Sequence, residues 1–161
     1  MAKIRTAIIG LGKIAHGYDD ISAIKKQISY PTHLSALKKD TRFSLIAVSD
    51  VSIKARGIFR KKVSDSVVLY SDYKEMIKTE DIDLLVVALP TELHYKVCAK
   101  ALKSGIKNIL CEKPITNTSA EAKKLMNLAK KHKAQILVNY NRSYYKSYEQ
   151  LALAIKNKVL K

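Results

Sequence analysis

The chain has 161 residues, 47% of them apolar, and a formal net charge of +16. That length allows one well-buried α/β domain and excludes two ordinary ones, and no apolar run approaches the roughly 18 residues that span a bilayer. The charge comes from 25 Lys against 5 Arg, in doublets such as Lys25-Lys26, Lys61-Lys62 and Lys130-Lys131 spread over separate helical segments; this reads as solvated helix faces and disfavours nucleic acid as the partner.

The start, Met1-Ala2-Lys3-Ile4-Arg5, enters a strand at once. It lacks the apolar core and cleavage site of a signal peptide, so the cytoplasm is the expected compartment. The first strand, Lys3–Ile9, runs into Gly10-Leu11-Gly12-Lys13-Ile14-Ala15, a G-x-G-x-x-[G/A] turn. Gly10 permits the tight bend, Gly12 lets backbone approach a pyrophosphate, and Ala15 is small enough for a helix to lie close to the sheet. A helix from Lys13 to about Tyr18 would offer its first N–H groups, Lys13 and Ile14 among them, to phosphate.

Gly17–Thr32 is polar and reads as an insertion before a helix at His33–Lys39. The second strand, Ser44–Ser49, ends at Asp50, placed to bond the adenosine ribose and repel a 2′-phosphate. Asp50 follows Gly10 by 40 residues, against about 20 in the usual spacing, and the insertion accounts for the excess. NAD is therefore favoured over NADP, with Lys54 and Arg56 nearby.

A helix at Ile53–Lys62, a short strand at Val67–Tyr70 and a helix at Tyr73–Lys78 follow. The fourth strand, Asp83–Leu89, stops at Pro90; a helix at Leu93–Ser104 closes on Gly105. After the strand Lys107–Cys111, Thr118 and Glu121 have capping-box spacing for a helix at Ser119–His132, and Gln135–Asn139 is the last strand. These runs are short, rich in Val, Ile and Leu, and barely alternate, as strands buried on both faces do. The expected fold class is α/β: a doubly wound, mostly parallel sheet of about six strands, a Rossmann NAD(P)-binding fold over 1–161 as one dinucleotide-binding domain. Cys98 and Cys111 are expected to be buried, reduced thiols. No His/Cys spacing suits a metal, and His16, His33 and His132 read as structural.

The segments Val87-Ala88-Leu89-Pro90-Thr91-Glu92-Leu93-His94 and Ala101–Pro114, ending in Glu112-Lys113-Pro114, resemble the glucose–fructose oxidoreductase / inositol dehydrogenase / MocA (Gfo/Idh/MocA) oxidoreductases. The likeness extends from the glycine turn to Asn139-Tyr140-Asn141-Arg142. It implies that Lys113 lies beside the nicotinamide and the substrate hydroxyl as the catalytic residue, and that Glu112 contacts the nicotinamide ribose. It also implies that Pro114 follows a cis peptide, and that Ala88, Leu89, Pro90 and Thr91, with His94, line the cofactor. Asn141 and Arg142 would be substrate-proximal. A lysine near a bound cation has a lowered pKa and can move a proton.

The activity so implied is reversible hydride transfer between the nicotinamide and a hydroxyl-bearing carbon of a sugar, inositol or nucleotide sugar. Members of the family usually continue into an open, mostly antiparallel domain that binds substrate and carries an Asp-x-x-x-His acid/base pair. This chain is expected to be the cofactor half only, binding NAD(H) with little turnover alone. The alternative is a non-catalytic regulatory module that binds NAD(H) or a nucleotide sugar. A homo-oligomer is the further partner left open, with Tyr144, Tyr145, Tyr148, Leu151 and Leu153 as its sticky surface.

Overall fold

The computed structural model describes residues 2–27, 30–141 and 146–157. Six strands, β1 (Ile4–Ile9), β2 (Phe43–Ser49), β3 (Val68–Tyr70), β4 (Leu84–Val87), β5 (Asn108–Glu112) and β6 (Gln135–Asn139), form one sheet of order β3-β2-β1-β4-β5-β6. Every neighbouring pair is parallel, in registers such as Ile9↔Ser49, Ile9↔Val87, Val87↔Cys111 and Glu112↔Asn139. The strand order reverses between β1 and β4, so the loops leaving these two strands diverge to opposite faces and open a crevice at the C-terminal edge.

Both faces of the sheet are covered because successive side chains point opposite ways. Ala7, Ile9, Ala47, Leu85 and Val87 pack on one side with Met76, Val97, Leu102 and Leu125, from helices α4 (Tyr73–Thr79), α5 (Thr91–Lys103) and α6 (Ser119–Lys131). Ile8, Val48 and Val86 pack on the other with Leu34 and Phe59, from α2 (His33–Lys39) and α3 (Ile53–Arg60). Cys98 and Cys111 are buried free thiols. Among the described residues, no helix is long and apolar enough to cross a membrane. The last helix, α7 (Lys146–Lys156), leaves Tyr148, Leu151 and Leu153 exposed; Tyr144 and Tyr145 lie outside the described residues.

The glycine turn differs from expectation. Gly12 is followed not by an α-helix to Tyr18 but by a single hydrogen-bonded turn, then a 3-10 segment at Gly17–Asp20 and a short helix α1 (Ser22–Gln27). The reason lies in the carbonyls. Ile14 O accepts from His33 N at 3.1 Å and Ala15 O from Leu34 N at 2.9 Å. If residues 17–31 are set aside, each of these bonds joins positions four apart, the α-helical spacing. The first helix therefore continues through α2, and the insertion loops out of its second turn. Thr32 starts the continuation by capping Ser35 N.

Candidate cofactor and active site

The glycine turn is shaped by contacts that only glycine tolerates. Gly10 has φ +92°, and a Cβ there would lie 2.4 Å from Ala88 O. Gly10 N–H donates to Ser49 O at 2.8 Å, tying the turn to β2. Gly12 is the opposite case: a Cβ would meet no protein atom within 4 Å, so the space above it is open. The N–H groups of Gly12, Lys13 and Ile14 make no hydrogen bond with any described residue. Three unspent amides in one turn form a cradle for an anion.

Asp50 buttresses this cradle. Its Oδ2 accepts from Leu11 N and its Oδ1 from Ser52 N, both at 2.8 Å. The Arg56 guanidinium donates to the Asp50 carbonyl at 2.6 Å, so its placement serves the loop backbone. Beneath the turn, buried His16 donates Nε2–H to Leu11 O at 3.0 Å and stands edge-on to Phe59. Burial and the neighbouring Lys62 push its pKa down, which keeps the ring neutral.

Beside Asp50 a cavity of about 220 Å³ opens between the ends of β2 and β3 and the first turns of α5. Val51, Tyr73, Leu89, Leu93 and Lys96 line it, with Ile9 as its floor. Tyr73 and Lys96 are not recognisable as site residues from the sequence. Neither belongs to a motif, and only the strand order that sets β3 and β4 on either side of the β2–β1 pair brings them to Asp50.

The Glu112-Lys113-Pro114 turn leaves β5 at the same edge, and the Lys113–Pro114 peptide is cis. Lys113 is exposed, whereas Glu112 is buried. Glu112 Oε1 accepts from His33 Nε2 at 2.9 Å and from Asn139 Nδ2 at 2.7 Å. Burial alone would raise the carboxyl pKa, but these two donors hold it below the usual glutamate value. His33 has no partner motif in the sequence. The continuous helix hydrogen bonding through α2 carries it to Glu112, 79 residues away along the chain.

The structure thus sets Gly10, Gly12, Lys13, Ile14, Asp50, Ala88, Leu89, Pro90, Glu112 and Lys113 along the C-terminal ends of β1, β2, β4 and β5. His94 stands apart. It is 1% exposed, and its ring lies between Leu89 O and Pro114 O rather than at an open surface. Asn141 is exposed just past β6, and Arg142 lies outside the described residues.

Residues 4–140 match the family described as "Oxidoreductase family, NAD-binding Rossmann fold", GFO_IDH_MocA. The chain belongs to the Gfo/Idh/MocA oxidoreductases. An uncharacterized oxidoreductase of Schizosaccharomyces pombe is 34% identical over 146 residues, which cover 89% of this chain and 35% of the relative. Inositol 2-dehydrogenase of Salmonella typhimurium is 24% identical over 149 residues, covering 92% of this chain and 40% of that one. Among solved structures, the WlbA dehydrogenase of Bordetella pertussis, in complex with NADH and UDP-GlcNAcA, has the same fold. Its TM-score is 0.77 at 21% identity, over 96% of this chain and 42% of that chain. The Gfo/Idh/MocA region seen here therefore spans well under half the length of these relatives.

Proposed function

We propose that the C-terminal edge of the sheet binds NAD(H) and presents the nicotinamide beside Lys113, as the cofactor half of a sugar- or polyol-type oxidoreductase. The observation that carries this reading is the cradle of unspent amides at Gly12, Lys13 and Ile14, set between Asp50 on one side and Glu112-Lys113 on the other. The amides take the pyrophosphate, the Asp50 carboxylate takes the adenosine ribose hydroxyls, and the cavity lined by Tyr73 and Leu93 takes the adenine. Glu112 orients the nicotinamide ribose.

When bound, the cofactor supplies hydride acceptance or donation. Exposed Lys113 holds the substrate hydroxyl and moves its proton, with Asn141 and Arg142 on the substrate side. The substrate class, a hydroxyl-bearing carbon of a cyclic polyol, sugar or nucleotide sugar, is supported by what the named relatives act on or hold. The wall facing Lys113, which would exclude water, is assigned to the further length that those relatives carry.

NAD is preferred to NADP because the Asp50 carboxylate repels a 2′-phosphate and the Arg56 guanidinium is engaged by backbone. Calorimetric titration should show NADH binding at least about tenfold more tightly than NADPH, and Asp50→Ser should narrow that gap. Equal affinities would remove the preference. Binding of neither nucleotide at millimolar concentration would overturn the cofactor reading itself.

A further inference from the structure

Among the described residues, His94 is the one buried ring whose two nitrogens both meet acceptors. Nδ1 lies 2.8 Å from Pro114 O and Nε2 lies 2.8 Å from Leu89 O. A carbonyl oxygen can only accept, and a neutral imidazole has one N–H. A neutral ring would therefore hold a lone pair against one of these oxygens at hydrogen-bond distance. Only the doubly protonated ring satisfies both.

We infer that His94 is an imidazolium clasp that donates one N–H to the loop after β4 and one to the Glu-Lys-Pro turn after β5, and so positions Lys113 against the Leu89–Pro90 wall of the cleft. Its functional consequence rests on the cofactor reading above. The two carbonyls belong to different crossovers, and no ladder bond joins them, since the β4–β5 pairing ends at Val87↔Cys111. His94 bridges the sheet edge where that pairing stops. It is a positioning residue: it acts through Leu89 and Pro114.

The surroundings are consistent with a charge held by backbone. On β5 the neighbouring titratable group is Cys111, whose thiol is pushed far up by contact with Cys98 and by burial, and so stays neutral. On α5 itself Glu92 and Lys96 are exposed. Past β5, Glu112 is engaged by His33 and Asn139, and Lys113 is exposed. Burial pushes the ring's pKa down, and its place in the first turn of α5, at the positive end of the helix dipole, opposes a cation as well. Against these, the two carbonyl bonds raise it. With Cys111 neutral, the carbonyls are the partners that demand the second proton.

The test reads the ring directly and then the cleft. Nitrogen-15 NMR of the His94 imidazole in the wild-type chain should show both nitrogens protonated at neutral pH, with the second proton lost only as pH rises above the ordinary histidine range. A single-tautomer neutral signature at neutral pH overturns the clasp, whatever the cofactor does. NADH titrations should then show wild-type affinity falling about fivefold over the same rise in pH, the equivalent of one net hydrogen bond, with His94→Gln weak and flat throughout. A His94→Gln chain that matches wild type in affinity and pH profile overturns the positioning role. If wild type binds no NADH, the cofactor reading falls and the NMR result alone decides the clasp.

Discussion

Two glycines two positions apart make opposite demands. Gly10 holds a positive φ with Ala88 O in the way of any side chain, so Gly10→Ala should lower stability by about 2–3 kcal/mol in urea melts. Gly12 faces open space, so Gly12→Ala should leave the melt unchanged while weakening NADH binding at least about tenfold. Loss of stability at both sites would show that the turn is built for the fold alone. Glu112 offers a pH test. Its folded-state pKa lies below the ordinary value of 4.5, so its hydrogen bonds from His33 and Asn139 stabilise the fold above that pH. That stabilisation is lost as pH falls through the depressed pKa. Wild type should exceed Glu112→Gln by about 1–2 kcal/mol at neutral pH and converge with it in acid, as followed by chemical denaturation at several pH values.

The element that departs most from expectation is the first helix. A G-x-G-x-x-A turn followed by polar residues reads as a helix start, and the insertion then reads as a separate loop. Hydrogen bonds from His33 to Ile14 and from Leu34 to Ala15 show instead one helix interrupted after a single turn. Joining His16 directly to Thr32 should therefore give a folded chain with a continuous helix. Circular dichroism should show the helical signal kept and a cooperative melt. Loss of folding would mean that the contacts made by the insertion, Asp19 with Thr32 and Asp20 with Lys62, are required by the domain. Most other elements stand within a few residues of where hydrophobic runs and caps put them, because short Val/Ile/Leu strands and Ser/Thr/Asp caps act locally. Only their ends shift, as at β4, which stops at Val87 rather than Leu89.

Across the whole molecule, the two faces of the sheet are covered unequally. The face carrying α4, α5 and α6 has a core that extends to Ile136 on β6, whereas Leu137, on the other face of the same strand, is 58% exposed. This end of the sheet therefore presents apolar surface, and Leu151, Leu153 and Ile155 of α7 are exposed as well. Leu137→Lys should change stability by less than about 0.5 kcal/mol while reducing binding of a hydrophobic dye. A large loss of stability would show instead that Leu137 is packed in solution. The charge of +16 belongs to this scale too. It is spread over helix surfaces and says little about the cleft, whose proposed anion site is made of backbone amides rather than lysines.

The amino-acid sequence spells out the alternation of strands and helices, the glycine turn, Asp50 at the end of β2 and the Glu-Lys-Pro turn, since each is written in neighbouring residues and their spacing. It also carried the family resemblance, because those motifs are short and contiguous. What His33 and His94 do, one read as structural and the other expected to line the cofactor, is visible only in three dimensions. His33 reaches Glu112 from 79 residues away, and His94 turns from the surface to bridge two backbone carbonyls. The same holds for the helix that resumes after its insertion and for Tyr73 and Lys96 beside Asp50. These are meetings between strands ordered β3-β2-β1-β4-β5-β6, and no local periodicity records which loops a doubly wound sheet brings to one edge.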